Sequence, residues 1–245
     1  MGLPHLISIV GAGPGDPELL TVKALKRLKT ADVILYDALI GEEMLKLVKP
    51  GAVKVYVGKL NCDGQNQTER QDGIHRMFLH WANKNKKVVR LKTGDPMIFG
   101  RGAEEIRFCR ENNLNFEVIP GVTAGIAGSS LFSVQLTERG KNNMFLFYTC
   151  RKENDCFPEL NPLLTILRTG SPILLYMGLN HLSELTKKLI GEGISASMPV
   201  QILCKISQPD QRAYTTGLSG VDEFLAENKP CTPSLVIIGE NAVRI

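Results

Sequence analysis

Short apolar runs rich in β-branched residues alternate, along the first half of the chain, with segments whose apolar residues recur at helical spacing. The apolar runs predict strands in HLISIV, DVILYD, VKVYV, KVVRLK and NFEVIP. The segments between them predict helices over about Glu18–Thr30, Glu42–Val48, Gln67–Asn83 and Ala103–Asn112. Alternation of this kind is typical of a mostly parallel sheet with crossover helices.

The pattern changes after VIPGVTAGIAGSS, which predicts a loop followed by a helix of small residues. Strands are predicted in NMFLFYT, PILLYMG, PVQILCKI, QRAYTTG and PSLVIIGE. Two of them are separated only by a few residues around SQPDQR, a spacing that favours an antiparallel connection. We therefore predict an α/β fold of two lobes, residues 1–119 with a mostly parallel sheet and residues 120–245 with a mixed sheet. A ligand cleft is expected between the lobes.

Composition and charge describe an ordinary globular protein. Of the 245 residues, 43% are hydrophobic and 22% are charged, and the net charge of +4 is spread along the chain, so no nucleic-acid surface is predicted. No apolar run is long enough for a membrane span and the N-terminus does not resemble a signal peptide, so a cytoplasmic protein is expected. The six cysteines are scattered without a CxxC pair, which favours buried thiols over a metal site or a disulfide framework.

The glycine-rich segment ISIVGAGPGDPELLT resembles a dinucleotide-binding turn at first sight. The third glycine of that turn comes one position early here, and Asp16 stands where it should be. Pro14 and Pro17 have no N–H group to donate to a phosphate, and Asp16 would repel one. Asp37 imitates the ribose-binding acid of such sites only in position. A nicotinamide-dependent oxidoreductase is therefore the weaker hypothesis.

Two further glycine loops follow predicted strands, in RLKTGDPMIFGRGAEE and PGVTAG. Tight glycine loops at strand ends bring backbone N–H and C=O groups against a small ligand. Each loop alone is weak evidence, because such turns are common. Their order and number together predict one small-molecule site.

The sequence resembles the tetrapyrrole methylases over nearly its whole length. The resemblance is carried by VGAGPGDPELLTVKALKRLKTADVILYDALI, VYVGK, VVRLKTGDPMIFGRGAEE, VIPGVTAGIAG, LYMGL and PDQRAYTTGL. The YDALI segment is similar to that of the members acting on uroporphyrinogen III. The resemblance implies a homodimer that uses S-adenosyl-L-methionine, releases S-adenosyl-L-homocysteine and methylates uroporphyrinogen III at C2 and C7 to precorrin-2, a precursor of siroheme and cobalamin.

The resemblance also assigns roles to residues at matching positions. Asp37 corresponds to a proposed proton acceptor, although an aspartate there is about as often a helix cap. Lys59 corresponds to a proposed proton donor, although it could instead pair with a substrate carboxylate. The residues matching cofactor contacts are Pro14, Thr93, Gly94, Asp95, Ile98, Thr123, Ala124, Met177 and Ile206.

Uroporphyrinogen is rich in carboxylates, so its enzyme needs cations around the site. The predicted substrate-binding residues are Lys59, Arg101, Arg139, Arg151 and Met177. Any one of these cations alone is by default a solvated surface charge. Their common position in the motif loops favours substrate binding, and no metal ligands are predicted.

Several positions depart from the family's pattern, mainly where substrate binding is expected. Asn66 and Glu138 stand where a histidine is usual, FYTCRKEN replaces the usual Thr-Gly-His, and Thr93 and Ile206 replace glycines. Two alternatives therefore stay open. One is a methylase of another precorrin with the same cofactor, and the other is a homologue that binds the cofactor without turnover.

Overall fold

The computed structural model of the protein describes residues 7–58, 67–150, 159–230, 232–240 and 242–243. Its contacts divide the chain into two compact units, Met1–Thr123 and Ala124–Ile245. The division falls a few residues after the predicted boundary at Pro120. In the described ranges, no helix is long and apolar enough to cross a membrane.

The first unit alternates strands and helices throughout. Its strands are β1 Ile7–Gly11, β2 Val33–Tyr36, β3 Val53–Tyr56, β4 Val88–Lys92 and β5 Phe116–Ile119. Its helices are α1 Val22–Leu28, α2 Glu42–Lys46, α3 Gln67–Asn83 and α4 Gly102–Glu111, with a short 3₁₀ helix at Pro17–Leu19. The five strands are parallel in the order β3-β2-β4-β1-β5, as the alternating pattern predicted.

Both faces of this sheet are covered by helices. One face packs residues such as Val10 and Ile34 against Leu28 of α1 and Met44 of α2. The opposite face packs Ile9, Leu35 and Val88, among others, against side chains of α3 and α4, namely Ile74, Phe78 and Cys109. Strands buried on both faces are continuously apolar, which is why they were visible in the sequence. Each fully buried large side chain contributes about 1.5–3 kcal/mol through removal from water.

A surface ion-pair cluster fastens α1 to the edge strand β5. Glu117 of β5 accepts hydrogen bonds from Arg27 of α1 and from the hydroxyl of Ser8 in β1 (2.9 Å), and it pairs with Lys23 Nζ at 2.7 Å. Burial opposes the ionisation of Glu117, but the hydrogen bonds from these neighbours outweigh it and lower its pKa to about 2.

The second unit has a mixed sheet. Its strands are β6 Leu146–Thr149, β7 Ile173–Tyr176, β8 Pro199–Cys204, β9 Arg212–Gly217 and β10 Ser234–Ile238, in the order β6-β7-β10-β8-β9. Only β6 and β7 run parallel, and β8 and β9 form the predicted antiparallel pair. The helices are α5 Ala124–Leu131, α6 Leu160–Arg168, α7 Leu182–Gly191 and α8 Val221–Glu227, with 3₁₀ helices at Leu179–His181 and Leu218–Gly220. The predicted fold class is confirmed.

The helix predicted over Glu18–Thr30 is wrong at its start. Thr21 begins a separate helix, because its Oγ1 accepts a hydrogen bond from Ala24 N at 3.1 Å in the manner of an N-cap. Before it, Asp16 caps the 3₁₀ turn through Glu18 N at 2.8 Å. Helices α6, α7 and α8 were not predicted, although Leu182, Leu185 and Leu189 of α7 are buried at helical spacing.

Candidate functional site

The strand order creates a switch point at the carboxyl ends of β1 and β4. The chain leaves β1 towards α1 on one face of the sheet, and it leaves the neighbouring β4 towards α4 on the other face. In open α/β sheets such a divergence opens a crevice in which ligands bind. The glycine loops singled out in the sequence lie here.

Four glycines bring the loops after β1, β4 and β5 into backbone contact. A Cβ atom on Gly11 would lie 2.5 Å from Gly121 N and 2.7 Å from Gly94 O. Gly13 and Gly94 exchange backbone hydrogen bonds, 2.8 Å from Gly94 N and 3.2 Å from Gly13 N. Gly94 has a φ of +69°, in the region that favours glycine. These glycines therefore serve loop-to-loop packing, and not a phosphate turn.

Asp95 fixes the same junction through its side chain. Its Oδ1 accepts a hydrogen bond from Met97 N at 2.8 Å, and its Oδ2 accepts one from Gly121 N at 3.0 Å. Both carboxylate oxygens are thus engaged with backbone donors of two loops. Asp95 therefore holds the two loops together, and its contact with a cofactor stays a prediction.

Thr93 carries a polar atom that needs a partner. Its Oγ1 is buried and, among the residues that the structure describes, has no hydrogen-bond partner. A buried hydroxyl without a partner costs about 1–3 kcal/mol. The hydroxyl therefore suits the polar part of a small ligand at this junction. Around it, Pro14 and Thr123 are buried and Ile98 is half-buried.

Strained backbone concentrates in the candidate loops. Among the residues that the structure describes, five non-glycine residues with positive φ lie in loops of the predicted site: Phe99, Arg101, Met177, Lys205 and Ser207. The others of this kind, Asn85, Asn113 and Ser133, follow the ends of helices. Conformations of this type cost of order 1–3 kcal/mol each and cluster at binding sites. Their placement agrees with a functional role of these loops.

Asp37 follows β2 at the same edge of the sheet and forms an ion pair. Its Oδ1 accepts a hydrogen bond from Arg90 Nη2 at 2.6 Å. The helix after it, α2, has Gly41 at its N-cap, so Asp37 is not a helix cap. The Asp37 side chain is 30% exposed, whereas that of Arg90 is 4% exposed.

Behind Asp37 lies a buried charge network, which we call the Arg90 network: Asp37, Arg90, Lys92 and Glu105. Glu105 Oε1 accepts hydrogen bonds from Arg90 Nε and from Lys92 Nζ, both at 3.0 Å. Burial disfavours the charged guanidinium, but Glu105 and Asp37 outweigh it and raise the pKa of Arg90. Burial and the charge of Arg90 lower the pKa of the Lys92 ammonium.

The predicted substrate-binding cations differ in their surroundings. Arg101 makes a two-pronged pair with Glu104, from Nε at 2.8 Å and from Nη2 at 2.5 Å, and this pair lowers the pKa of Glu104. Arg139 is exposed, in a turn after α5. Lys59 and Arg151 lie outside the described residues.

The second unit contributes a cavity beside Met177. Met177 follows β7 and is 46% exposed. The cavity measures about 350 Å³, within the range of small-molecule sites. It is lined by Met177, Leu179, Asn180, His181, Thr232, Pro233 and Ser234. Next to Ala124, Gly125 N donates a hydrogen bond to Tyr176 Oη at 2.8 Å, which ties the start of α5 to the end of β7.

Comparison with known proteins identifies the family. The family described as Tetrapyrrole (Corrin/Porphyrin) Methylases matches residues 6–222. The chain belongs to the tetrapyrrole methylases. It is 38% identical to the uroporphyrinogen-III C-methyltransferase of Bacillus subtilis, over 95% of this chain and 89% of that protein. It is 41% identical to a siroheme synthase of Psychrobacter cryohalolentis, over 96% of this chain but only 44% of that protein. The chain thus spans less than half of that longer relative.

A solved methylase structure agrees with the fold. The uroporphyrin-III C-methyltransferase of Thermus thermophilus, complexed with S-adenyl homocysteine, superposes with a TM-score of 0.80 at 36% identity. The alignment covers 97% of this chain and 92% of that one. The resemblance stated from the sequence is confirmed.

Ile206, which replaces a glycine of the methylase pattern, is accommodated inside the second unit. Its side chain is 5% exposed, and a Cβ on Gly128 of α5 would lie 2.9 Å from its Cδ1. The missing side chain at Gly128 therefore leaves the room that Ile206 takes. The bulk of Ile206 is directed against α5, which permits its backbone to keep a contact role.

The sequence analysis missed the Arg90 network, which places Arg90, Lys92 and Glu105 behind Asp37. The signal was available in VVRLK, where two cations stand in an otherwise apolar strand. A strand with both faces buried holds charged side chains only when counter-ions meet them. Searching for those counter-ions would have pointed to the acidic residues that follow.

Proposed function

We propose that the chain is an S-adenosyl-L-methionine-dependent methyltransferase that converts uroporphyrinogen III to precorrin-2 by methylation at C2 and C7. The observation that carries the proposal is the junction of three glycine loops around the unpartnered Thr93 hydroxyl at the switch point. Identity to a named methyltransferase over nearly the whole chain supports it. The product would serve siroheme or cobalamin synthesis in the cytoplasm.

The residues of the junction fit the proposed cofactor. Thr93 Oγ1 offers a hydroxyl to its polar groups, and Gly94 holds the loop that carries Thr93 against the loop after β1 through its two backbone hydrogen bonds with Gly13. Pro14, Ile98, Thr123, Ala124, Met177 and the Ile206 backbone would complete the contacts. Asp95 would act by holding the loops that make them. The cofactor, when bound, supplies a methyl group on a sulfonium, which is a good leaving group.

The protein's own contribution to the reaction is alignment and proton transfer. Holding the pyrrole carbon in line with the methyl group can contribute several kcal/mol. The methylated ring must lose a proton, and Asp37, a carboxylate with solvent contact at the same sheet edge, is the proposed acceptor. Lys59 is the proposed donor.

The substrate's carboxylates would be met by cations. Arg101 and Arg139, together with Lys59 and Arg151, are the proposed partners, and Met177 would pack against the ring. Since Arg101 is already held by Glu104, a substrate carboxylate would have to share or replace that pair. The pair with Glu104 therefore already holds the Arg101 guanidinium in one orientation before a substrate binds.

A homodimer is part of the proposal. Exposed apolar side chains on and after α5 support it: Ile126, Leu131 and Met144 are 42%, 45% and 46% exposed. Light scattering of the purified chain measures the assembly directly. A monomer across micromolar concentrations contradicts this part alone.

The test of the function is anaerobic turnover. Uroporphyrinogen III is generated in situ, the protein and S-adenosyl-L-methionine are added, and the product is measured by mass and absorbance. Gain of two methyl groups is expected. If no methyl group is gained while S-adenosyl-L-homocysteine binds in calorimetry, the substrate assignment is wrong.

A second candidate is methylation of a later precorrin. Glu138, which replaces a usual histidine, is paired with Lys141 at 2.7 Å and accepts a hydrogen bond from Gln135 Nε2 at 2.8 Å, so an ion pair stands where an imidazole is usual, and this change favours a ring with another pattern of substituents. Presenting trimethylated and tetramethylated precorrins in the same assay separates this candidate from the first.

A further inference from the structure

We infer that Arg90 is a positioning residue for Asp37, and that Glu105, which also pairs with Lys92, holds Arg90 in place for that task. The inference rests on the proposed function, because it concerns the proton acceptor of that reaction. It assigns a role to Arg90 and Glu105, two buried side chains that are not among the predicted cofactor contacts.

The guanidinium of Arg90 is fixed in four directions. Nη2 donates to Asp37 at 2.6 Å, and Nε donates to Glu105 at 3.0 Å. Nη1 donates to two backbone carbonyls, those of Leu91 at 3.2 Å and Leu35 at 3.4 Å. A planar guanidinium with this many partners has one orientation, and it imposes that orientation on its carboxylate partner.

Glu105, together with Asp37, makes this buried cation sustainable, whereas Lys92 is a like charge that shares the same oxygen of Glu105. Arg90 and Lys92 bring two positive charges beneath the sheet edge. Glu105 forms an ion pair with each of them through Oε1. Together with Asp37 the four groups balance, two cations against two carboxylates. Removing one member would leave an uncompensated buried charge.

The network is not arranged for stability alone. The second oxygen of Glu105, Oε2, is buried and lacks a hydrogen-bond partner within the described part of the chain. A buried ion pair with an unsatisfied oxygen is a poor stabiliser compared with apolar packing. The arrangement does fix the orientation of the Arg90 guanidinium.

The consequence for Asp37 is a carboxylate with one oxygen held and one left to react. Oδ1 is engaged by Arg90, whereas Oδ2 has no partner in the described ranges. Arg90 lies on β4, whose end leads directly into Thr93, and Glu105 lies on α4, which follows the same loop. The network therefore ties the proton acceptor to the strand that carries the cofactor loop.

The test is a double-mutant cycle on kcat. The variants are Asp37→Asn, Arg90→Lys and both together, with Arg27→Lys as the matched control, since Arg27 pairs with Glu117 away from the loops. Asp37→Asn is expected to lower kcat by about a hundredfold. Arg90→Lys keeps the positive charge but loses the planar guanidinium with its several donors, and kcat is expected to fall by about tenfold.

The cycle separates positioning from a structural role. If Arg90 acts through Asp37, the double variant is as slow as Asp37→Asn alone, within about twofold. KM and the S-adenosyl-L-homocysteine Kd of Arg90→Lys stay within about twofold of wild type, as do all three constants of the control. Losses that multiply in the double variant, or a Kd that weakens together with kcat, overturn the inference.

Two additions make the test robust. Should Arg90→Lys fail to fold, Glu105→Gln preserves shape, and its smaller loss of kcat must vanish in the Asp37→Asn background. A crystal structure of Arg90→Lys reports on geometry without turnover. Asp37 is expected to leave its wild-type position, and an unmoved carboxylate refutes the inference even if the wild-type protein fails to methylate uroporphyrinogen III.

Discussion

Replacing Gly121 by alanine tests the glycine junction most directly. A Cβ at Gly121 would lie 2.8 Å from both Cα and C of Gly11 and would overlap Gly94 O on the other side, whereas ordinary contacts begin at 3.4 Å. Both neighbours are backbone of buried loops, so the clash cannot be relieved by turning a side chain. The loops after β1 and β4 must move apart instead.

The expected cost follows from that displacement. Overpacking of a dense region destabilises by about 1–3 kcal/mol, and obstruction on two sides places Gly121→Ala near the upper end. At about 2–4 °C per kcal/mol, the melting temperature should fall by roughly 6–12 °C. Because the same loops carry Thr93, the Kd for S-adenosyl-L-homocysteine should weaken at least about tenfold.

Gly73→Ala is the matched control, since it makes the same chemical change in the interior of α3. The nearest group to a Cβ there is the far end of Arg76, at 4.0 Å. Alanine is favoured over glycine in a helix by about 0.5–1 kcal/mol, so this variant should melt slightly higher than wild type and bind normally. Calorimetric melting and ligand titration of both variants give the result. A Gly121→Ala protein that melts and binds like wild type refutes the packing argument.

Three further predictions follow from single contacts. Because the folded pKa of Glu117 is lowered to about 2, its contribution is present above its usual value of 4.5 and is lost as pH falls towards 2. Since solvent screens its partners, that contribution is about 1 kcal/mol, and Glu117→Gln should remove it from urea unfolding at pH 7 but not at pH 2. Burial raises the pKa of Cys109 to about 12, so iodoacetamide at pH 8 should label it only after unfolding, as peptide mass spectrometry will report. A Cβ at Gly128 would lie 2.9 Å from Cδ1 of both Ile206 and Leu203, so Gly128→Ala should destabilise the protein, and the loss measured in urea unfolding should be smaller in an Ile206→Gly background, where only the Leu203 contact remains; equal losses in both backgrounds would contradict the packing of Ile206 against α5.

The strands of both units were predictable because a buried strand needs apolar residues at successive positions, and such a run is visible in the local sequence. Runs such as VILY and ILLY are apolar at successive positions, and their short length and β-branched or aromatic residues favour a buried strand over a buried helix. The start of the first helix was harder. Its boundary depends on one hydrogen bond to the Thr21 side chain, which interrupts an apolar stripe that otherwise reads as continuous.

The site was predictable in its loops but not in its charges. Glycine and proline mark the loops whatever the rest of the chain does. The pairing of Arg90 with Asp37 and Glu105 depends instead on β4 lying beside β2 and beneath α4. Tertiary neighbours of this kind are set by the strand order, which local periodicity does not encode. The packing of Ile206 against Gly128 also joins residues that are far apart in the sequence, so local periodicity does not predict it.

The strand order also dictates when the glycine junction can form during synthesis. β1 is synthesised first, but its neighbours in the sheet are β4 and β5. More than a hundred residues are therefore synthesised after Gly11 before Gly121, its contact in the junction, exists. At about 5–20 residues per second the first loop spends seconds without its partners. Contacts between distant parts of a chain also slow folding through loop-closure entropy. The glycine junction can therefore form only after β5 has been synthesised and has paired with β1.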